Sequence, residues 1–538
     1  MGAGEEREAG GLSSGNVLYY GDNLDVLRQH IKDESVDLIY LDPPFNSNAS
    51  YNVLFSNQAG VQSAAQIKAF SDTWHWDEVA AMAFHETVEA GGEVSRTMQA
   101  FRTLLGDSNM LAYLSMMAPR LMEFWRVLKP TGSLYLHCDS TASHYLKILL
   151  DSIFGPLGFR NEIVWKRFNF HADAKRFGKV TDRILFYTKG PEFIFNPIRV
   201  PYSDEYIADK FTHSDPDGRL YRLSDLNPPA GRGPVYEFNG VTKPWRITEK
   251  KMRQLDTEGR IYKGSKVAQL KRYLDELEGQ AVHELWTDVA PINPRARERL
   301  GYPTQKPLAL MERIIEASSD RGDVVLDPFC GCGTTIEAAQ QLDRRWIGVD
   351  ITYLATHLIK SRLRYAFEDK AEFKVIGEPT RVEEAVELGR TDPYQFQFWA
   401  LGLVGARSAE EKKGADRGID GRLYFHETPT GPTKQAIFSV KAGKVQVQHL
   451  RDLRGVVDRE KAQIGVLISL QPPTGPMRKE AASAGFYESS WGNFPTLQLL
   501  TVEELLNGKG VQMPPIAHTN ATFKRARYAH PKFEQGTF

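Results

Sequence analysis

Residues 323–339 read DVVLDPFCGCGTTIEAA. Val324 to Leu326 form the apolar run of a buried strand, the glycines at 331 and 333 open a turn, and TTIEAA carries the periodicity of a helix. A strand passing through a tight turn into a helix puts Asp327 through Thr335 at the carboxyl end of a strand, where α/β sheets bind ligands. Gly331 and Gly333 let another group approach the backbone closely. Asp350, nineteen residues beyond Gly331, closes the next strand WIGVD, the position from which an acid accepts hydrogen bonds from ribose hydroxyls. The spacing matches neither GxGxxG nor the P-loop pattern, so a nucleoside ligand without a phosphate cradle suits the segment. A plain glycine turn between strand and helix also fits these letters.

Outward from this segment, strand and helix patterns alternate. SVDLIYLD reads as a buried strand, MLAYLSMMAPRLMEFWRVL as a helix and GSLYLHCD as a strand; the rhythm lapses between about 166 and 300 and resumes with ALMERIIEASS. A βαβ rhythm means a largely parallel sheet, here split by an insertion. The expected divisions are a disordered tail over 1–14, a first half of the sheet domain over 15–165, an insertion over 166–300, a second half over 301–385, a further domain over 393–510 and a basic tail over 511–538. The chain has 538 residues, 41% hydrophobic and 25% charged, which is enough for several cores. No stretch approaches the roughly 20 apolar residues that span a bilayer, and the acidic, Gly-rich start has no apolar signal region, which points to the cytoplasm. Three cysteines, Cys138, Cys330 and Cys332, form neither a disulfide framework nor a zinc pattern. Net charge is −1, so any basic surface is local.

Asp42-Pro43-Pro44-Phe45 directly follows the strand DLIYL, placing a carboxylate, a rigid turn and an aromatic ring at a strand's carboxyl end. An amine conjugated to a purine is a poor nucleophile. Two acceptors that bind its hydrogens direct its lone pair, and the Asp42 side chain with the Pro43 carbonyl would supply them. Phe45 would stack on an extruded base. A tight turn with a locally bonded Asp is the plainer alternative.

DPPF and DPFCGCGTT together resemble the catalytic and S-adenosylmethionine motifs of DNA amino-methyltransferases, and their order resembles the circularly permuted β group. Gly21-Asp22-Asn23 looks like the family's cofactor-adenine segment. RVLKPTGSLYLH and Thr304-Gln305-Lys306-Pro307 also match, so the resemblance covers about residues 15–375. It implies an α/β fold with a seven-stranded Rossmann-like sheet and methyl transfer by direct in-line displacement. Catalysis falls to Asp42, Pro43, Pro44 and Phe45. The cofactor S-adenosylmethionine falls to Asp22, Asn23, Lys306, Asp327, Pro328, Phe329, Gly331, Gly333, Thr334 and Asp350. Lys306 is read as touching the cofactor carboxylate or a DNA phosphate, or as a solvated loop lysine. Asp at the head of DPPF resembles adenine-N6 enzymes; cytosine-N4 enzymes more often carry Ser. Direct attack needs no cysteine nucleophile.

Residues 166–300 hold 25 Lys/Arg against 19 Asp/Glu. Their basic groups interleave with Trp165, Phe168, Phe170, Tyr221, Tyr236, Trp245, Tyr262 and Tyr273, a mixture suited to phosphates and bases. Their place in the chain resembles that of the family's target-recognition region; an ordinary insertion with a solvated basic face is the alternative.

Beyond 393, a helix YQFQFWALGLVGA precedes the strand patterns GRLYFHE, QAIFSVKA and IGVLISL. Asp420 in GIDG and Lys441 in SVK would sit at neighbouring strand positions, with Ser439 and Lys441 on one face. This resembles the Mrr-like branch of PD-(D/E)xK nucleases, a restriction-endonuclease-like α/β domain. That likeness implies Mg²⁺ held by Asp420 and DNA cleavage aided by Lys441. Ser439 stands where the family usually has Glu or Gln, and a hydroxyl is the weaker magnesium ligand. Retained DNA binding without cleavage is the alternative.

The leading expectation is an adenine-N6 methyltransferase acting on double-stranded DNA within a restriction-modification or defence system. Cytosine-N4 transfer, an idle DNA-binding subunit, and an RNA or protein amino-methyltransferase are the competing readings. A homodimer and restriction or defence subunits are the partner classes considered.

Overall fold

The computed structural model describes residues 15–44, 75–167, 175, 177–229, 232–264, 268–293, 296, 298–300, 302, 304–408, 418–427 and 432–514. Its largest sheet contains β1 (Asn16–Tyr20), β2 (Val36–Leu41), β3 (Leu128–Cys138), β4 (Phe159–Lys166), β5 (Thr181–Thr188), β6 (Leu285–Trp286), β7 (Val324–Asp327), β8 (Arg345–Asp350) and β9 (Phe373–Ile376). Their spatial order is β6-β4-β5-β3-β2-β7-β8-β1-β9, and β5 alone runs against its neighbours. Nine strands replace the expected seven because the two-residue β6 and the four-residue β9 extend the two edges. The sequence halves meet where Leu38 and Ile39 pair with Val325 and Leu326, which makes one sheet of segments nearly 300 residues apart.

Every residue of β2 is buried, including Asp37, whose carboxylate accepts from Lys129 Nζ at 2.7 and 2.8 Å and from the Val324 amide at 2.9 Å. Burial on both faces explains why the strand reads as a continuous apolar run rather than an alternation. The helices that matter to the site are α1 (Asn23–His30), α2 (Asn109–Val127), α3 (Leu308–Ser318), α4 (Thr334–Gln341) and α5 (Tyr353–Phe367). Helix α2 buries Leu111, Leu114, Met117, Leu121 and Phe124 in the same core as Ile39, Leu41 and Leu326. Among the described residues, no helix is long and apolar enough to cross a membrane.

The expected insertion over 166–300 is broader than the compact unit, which runs from Pro197 to His283. β5 and β6 fall within the expected range yet belong to the large sheet, since their apolar faces are covered there. Within the unit, the strands Ile261–Lys263, Ala268–Tyr273, Leu220–Asp225 and His213–Ser214 form an antiparallel sheet. Leu226, Tyr236, Phe238, Trp245, Met252 and Leu255 make its core. The unit begins and ends on paired strands, Arg199–Val200 against Gln280–Ala281, and the Val282 amide donates to the Ile198 carbonyl at 3.0 Å.

Beyond residue 392, α6 (Pro393–Leu403) leads into β10 (Arg407–Ser408), β11 (Gly421–Phe425), β12 (Lys434–Lys441), β13 (Ile464–Ser469) and β14 (Leu497–Thr501), with α7 (Val447–Arg459) between β12 and β13. These strands follow one another in a mixed sheet, antiparallel through β12 and parallel thereafter. Phe396, Trp399, Phe425, Phe438 and Ile468 pack in one cluster, whereas Ile437, Leu450, Leu453 and Leu467 pack in another. The first cluster includes Tyr353 of α5, so this region groups with the large sheet rather than standing apart.

Candidate active site

β2, β7 and β8 lie side by side and run parallel, so Asp42, Asp327 and Asp350 arrive together at their carboxyl ends. Burial lifts the Asp327 carboxyl to about 7, with the Asp42 charge adding to the effect and hydrogen bonds from Thr335 and Phe329 opposing it. Burial likewise lifts Asp350 to about 6. Its Oδ2 accepts from the Gly331 amide at 2.9 Å, and its Oδ1 accepts from the Thr352 amide and hydroxyl at 3.0 and 2.8 Å. Among the described residues, Asp42 Oδ1 is buried with no hydrogen-bond partner. With all three acids ionised, one lysine leaves an excess of buried negative charge, and such a cluster favours a cationic ligand.

Lys306 is that lysine. It pairs with Asp42 Oδ2 rather than standing solvated, because a buried carboxylate needs a nearby cation. Pro43 and Pro44 follow Asp42 as expected. Phe45 lies outside the described residues.

The glycine turn has the left-handed backbone its letters suggest: φ is +49° at Gly331 and +78° at Gly333. A Cβ at Gly331 would stand 3.2 Å from Tyr302, and one at Gly333 would stand 2.6 Å from Ile359. Pro328 offers its carbonyl to Asn23 Nδ2 at 2.8 Å, and Phe329 donates its amide to Asp327 at 3.1 Å. Thr334 opens α4 and accepts from Arg362 Nη1 at 3.1 Å.

Asp22 and Asn23 come close to this turn, but as braces. Asp22 caps α1 through the Leu24 amide and receives both bonds of a fork from Arg120, at 2.8 and 2.7 Å. Arg120 Nε also donates to Asn23 at 2.7 Å, so one guanidinium ties α2 to the segment that holds Pro328.

Three groups escaped the sequence reading. Arg120 announces itself only as a cation in the middle of an apolar helix, away from the terminal turn that carries Arg126. Arg362, fully enclosed, pairs with Glu337 and donates to the Cys332 carbonyl at 3.2 Å, holding the glycine turn from below; an acid on the buried face of TTIEAA is the corresponding signal. Tyr40 and His137 share a hydrogen bond at 2.9 Å, and His137 reaches Asp182 at 3.0 Å beneath the Asp42 turn. Burial holds the His137 imidazole below its ordinary value. The thiols of Cys138, Cys330 and Cys332 are all buried and pushed up by burial, which disfavours a thiolate.

In the inserted unit, the aromatics expected to meet bases are mostly core. Tyr221, Tyr236, Trp245 and Tyr273 are buried, as is Trp165 in the large sheet, whereas Tyr262 is exposed. A unit this small needs them to exclude water. Several basic groups are also engaged internally, including Arg219 with Asp275 at 2.8 Å and Lys271 with Asp215 at 2.6 Å. Phe168 and Phe170 lie outside the described residues.

In the carboxy-terminal sheet, Asp420 and Lys441 meet, with Nζ 3.5 Å from Oδ2. The same Oδ2 accepts from the Val440 amide at 2.6 Å. Ser439 is buried on β12. Among the described residues, no group of three His, Cys, Asp or Glu side chains is arranged to hold a metal. One carboxylate already satisfied by an amide and a lysine, beside a hydroxyl, does not fit Mg²⁺. The expected Mg²⁺-dependent cleavage thus finds no metal site among the described residues.

A family model described as DNA methylase matches residues 36–360. Another, described as NACHT-associated inactive Restriction Endonuclease 1, matches residues 394–507. The type II methyltransferase M.EcaI of Enterobacter cloacae is 30% identical over 295 residues, 53% of this chain and 65% of that protein. The Mod subunit of the type III restriction-modification enzyme StyLTI of Salmonella typhimurium is 28% identical over 393 residues, 69% of this chain and 56% of that protein. The chain thus spans less than two thirds of either relative. A solved structure of M1.HpyAVI with SAM aligns over 64% of this chain and 99% of its own, at 16% identity and a TM-score of 0.30.

Proposed function

Because the chain belongs to the DNA methylase family, whose model spans residues 36–360, we propose that it transfers a methyl group from S-adenosylmethionine to adenine N6 of a flipped-out base in duplex DNA. The observation that carries the reading is the meeting of Asp42, Asp327 and Asp350 on adjacent strand ends, with Asp42 Oδ1 buried and, among the described residues, unpartnered. An orphaned buried acceptor costs free energy unless a donor arrives, and an exocyclic amine is such a donor.

S-adenosylmethionine supplies an electrophilic methyl group on a sulfonium, and its positive charge suits a pocket with excess carboxylate. Asp350 is the acceptor for ribose hydroxyls. Gly331 and Gly333 give the close backbone approach, Asp327 and the Pro328–Phe329 turn form the adjoining wall, and Asp22 and Asn23 hold that turn in place. The Asp42 carboxylate and the Pro43 carbonyl accept the two amine hydrogens, which aims the nitrogen lone pair out of conjugation with the ring. After transfer, the nitrogen must lose one hydrogen as a proton, and Asp42 Oδ1 is the atom to receive it. Lys306, paired with Asp42 Oδ2, holds that carboxylate in place. Closing the site around the base excludes water from this exchange.

Adenine is preferred over cytosine N4 because Asp heads the DPPF tetrapeptide. The unit Pro197–His283 is read as the target-recognition region, through its exposed basic groups rather than its core aromatics. The carboxy-terminal domain is read as a non-cleaving module retained for holding DNA. A restriction subunit is the partner class suggested by the Mod-subunit relative. Incubating DNA with the chain and labelled S-adenosylmethionine, followed by nucleoside analysis, tests the chemistry: N6-methyl-2′-deoxyadenosine is expected, and N4-methyl-2′-deoxycytidine without it would reassign the base.

A further inference from the structure

Helix α6 opens the carboxy-terminal domain, yet its first buried polar side chain is directed at the methylase sheet. Gln395 is enclosed, and its Oε1 accepts from the backbone amide of Tyr353 at 3.1 Å. Tyr353 is the residue after Thr352, whose amide and hydroxyl both hold Asp350 Oδ1. The Tyr353 ring is buried in the carboxy-terminal core and stacks on Tyr20 with centroids 3.7 Å apart and planes 14° apart. Tyr20 is paired in register with Asp350 itself, and the next amide, Gly21, donates to the Asp350 carbonyl at 3.0 Å. Farther along, α6 packs so closely on α5 that a Cβ at Gly402 would stand 3.3 Å from His357. The segment Asp350–Tyr353 is thus fixed from one side by β1 and from the other by the helix that opens the carboxy-terminal region.

We propose that Gln395 and the face of α6 around it are positioning elements for the methyl-donor site, so that the carboxy-terminal domain sets the affinity of Asp350 for S-adenosylmethionine. This rests on the reading of Asp350 as the ribose acceptor. The first turn of a helix leaves its amides without intrahelical partners, so Tyr353 depends on an outside acceptor, and Gln395 is that acceptor. Without it, the turn carrying Thr352 can relax and Asp350 loses its fixed direction. Coupling of this kind is reciprocal, so donor binding must in turn order α6.

The full-length chain is compared with Gln395→Met, which keeps the side-chain length and removes the acceptor, and with Gln395→Glu, which keeps an acceptor oxygen. Calorimetric titration with S-adenosylmethionine should give a Kd raised about tenfold in Gln395→Met and near the parent value in Gln395→Glu, with KM for the donor rising and kcat at saturation retained. A Gln395→Met variant that melts at lower temperature but binds the donor as tightly as the parent would overturn the proposal. Should that variant fail to fold, hydrogen exchange on the unaltered chain decides. Saturation with the donor should slow exchange across Pro393–Leu403 as well as across 350–356, and unchanged exchange in Pro393–Leu403 overturns the coupling. An unaltered chain that does not bind S-adenosylmethionine at all would overturn the donor-site reading and this proposal with it.

Discussion

Replacing Asp42 with alanine removes two things at once, and the ion pair with Lys306 lets them be separated. The Asp42 and Lys306 side chains are 14% and 11% exposed, so the pair is hardly screened. Removing one partner of a buried pair leaves the other charge uncompensated, which costs about 3–5 kcal/mol. Asp42→Ala and Lys306→Met should therefore each lower the unfolding free energy of the large sheet by roughly 3 kcal/mol, and the double variant should lose much less than their sum. Catalysis should behave differently. Loss of the acceptor that binds the amine hydrogens should slow single-turnover methylation at least about 10²-fold, and removing Lys306 as well should restore none of that rate. Urea denaturation of the four forms and rapid-quench methylation with labelled donor give both quantities. Additive stability losses would refute the pairing argument, and an Asp42→Ala variant that methylates near the parent rate would refute the catalytic one.

The raised carboxyls give a pH signature. Asp327 is held at about 7 against an ordinary 3.8, so its protonated form stabilises the ligand-free fold below 3.8 and that stabilisation is lost as pH rises through 7; a cationic donor selects the ionised form. Donor affinity should thus weaken as pH falls from 8 to 6, with proton release on binding, and calorimetry in buffers of different ionisation enthalpy would refute this by finding no proton exchange. Arg362→Met strands Glu337 in the core and should cost about 3–5 kcal/mol with weakened donor binding; an unaltered melting curve would count against the brace. Exchanging Pro197–His283 with the equivalent unit of a relative should change the methylated sequence while donor affinity holds, and a folded chimera of unchanged specificity would remove the reader assignment. Unmethylated DNA should stay whole with Mg²⁺ or Mn²⁺ yet be retarded in gels by the full chain; cutting that disappears in Asp420→Ala would restore the nuclease reading.

Much of the large sheet was legible because its signals are local. An acid and prolines interrupt an apolar strand at Asp42, and glycines at 331 and 333 stand where backbone must bend left-handed. The strand patterns GRLYFHE, QAIFSVKA and IGVLISL all became strands of the carboxy-terminal sheet for the same reason. Long-range pairs were not legible. Lys306 finds Asp42 across 264 residues and Arg120 finds Asp22 across 98, and no spacing rule encodes such meetings. The aromatics of the insertion misled because a base-stacking ring and a core ring look alike in a sequence; only burial separates Tyr262 from Trp245. Likewise, β5 was assigned to the insertion because the chain there lacks the βα alternation, and it lacks it because β5 is the one reversed strand.

The paired strands Arg199–Val200 and Gln280–Ala281 bring the two ends of the inserted unit to a single point. A segment that departs and returns through one neck transmits little of its own length or shape to the strands on either side. Crossovers between genes at those two positions would exchange a whole folded object, with its water-excluding core intact, and leave the three acids on β2, β7 and β8 in register. On the reading of this unit as the target reader, the neck is a seam at which one sequence preference would be exchanged for another without disturbing the sheet.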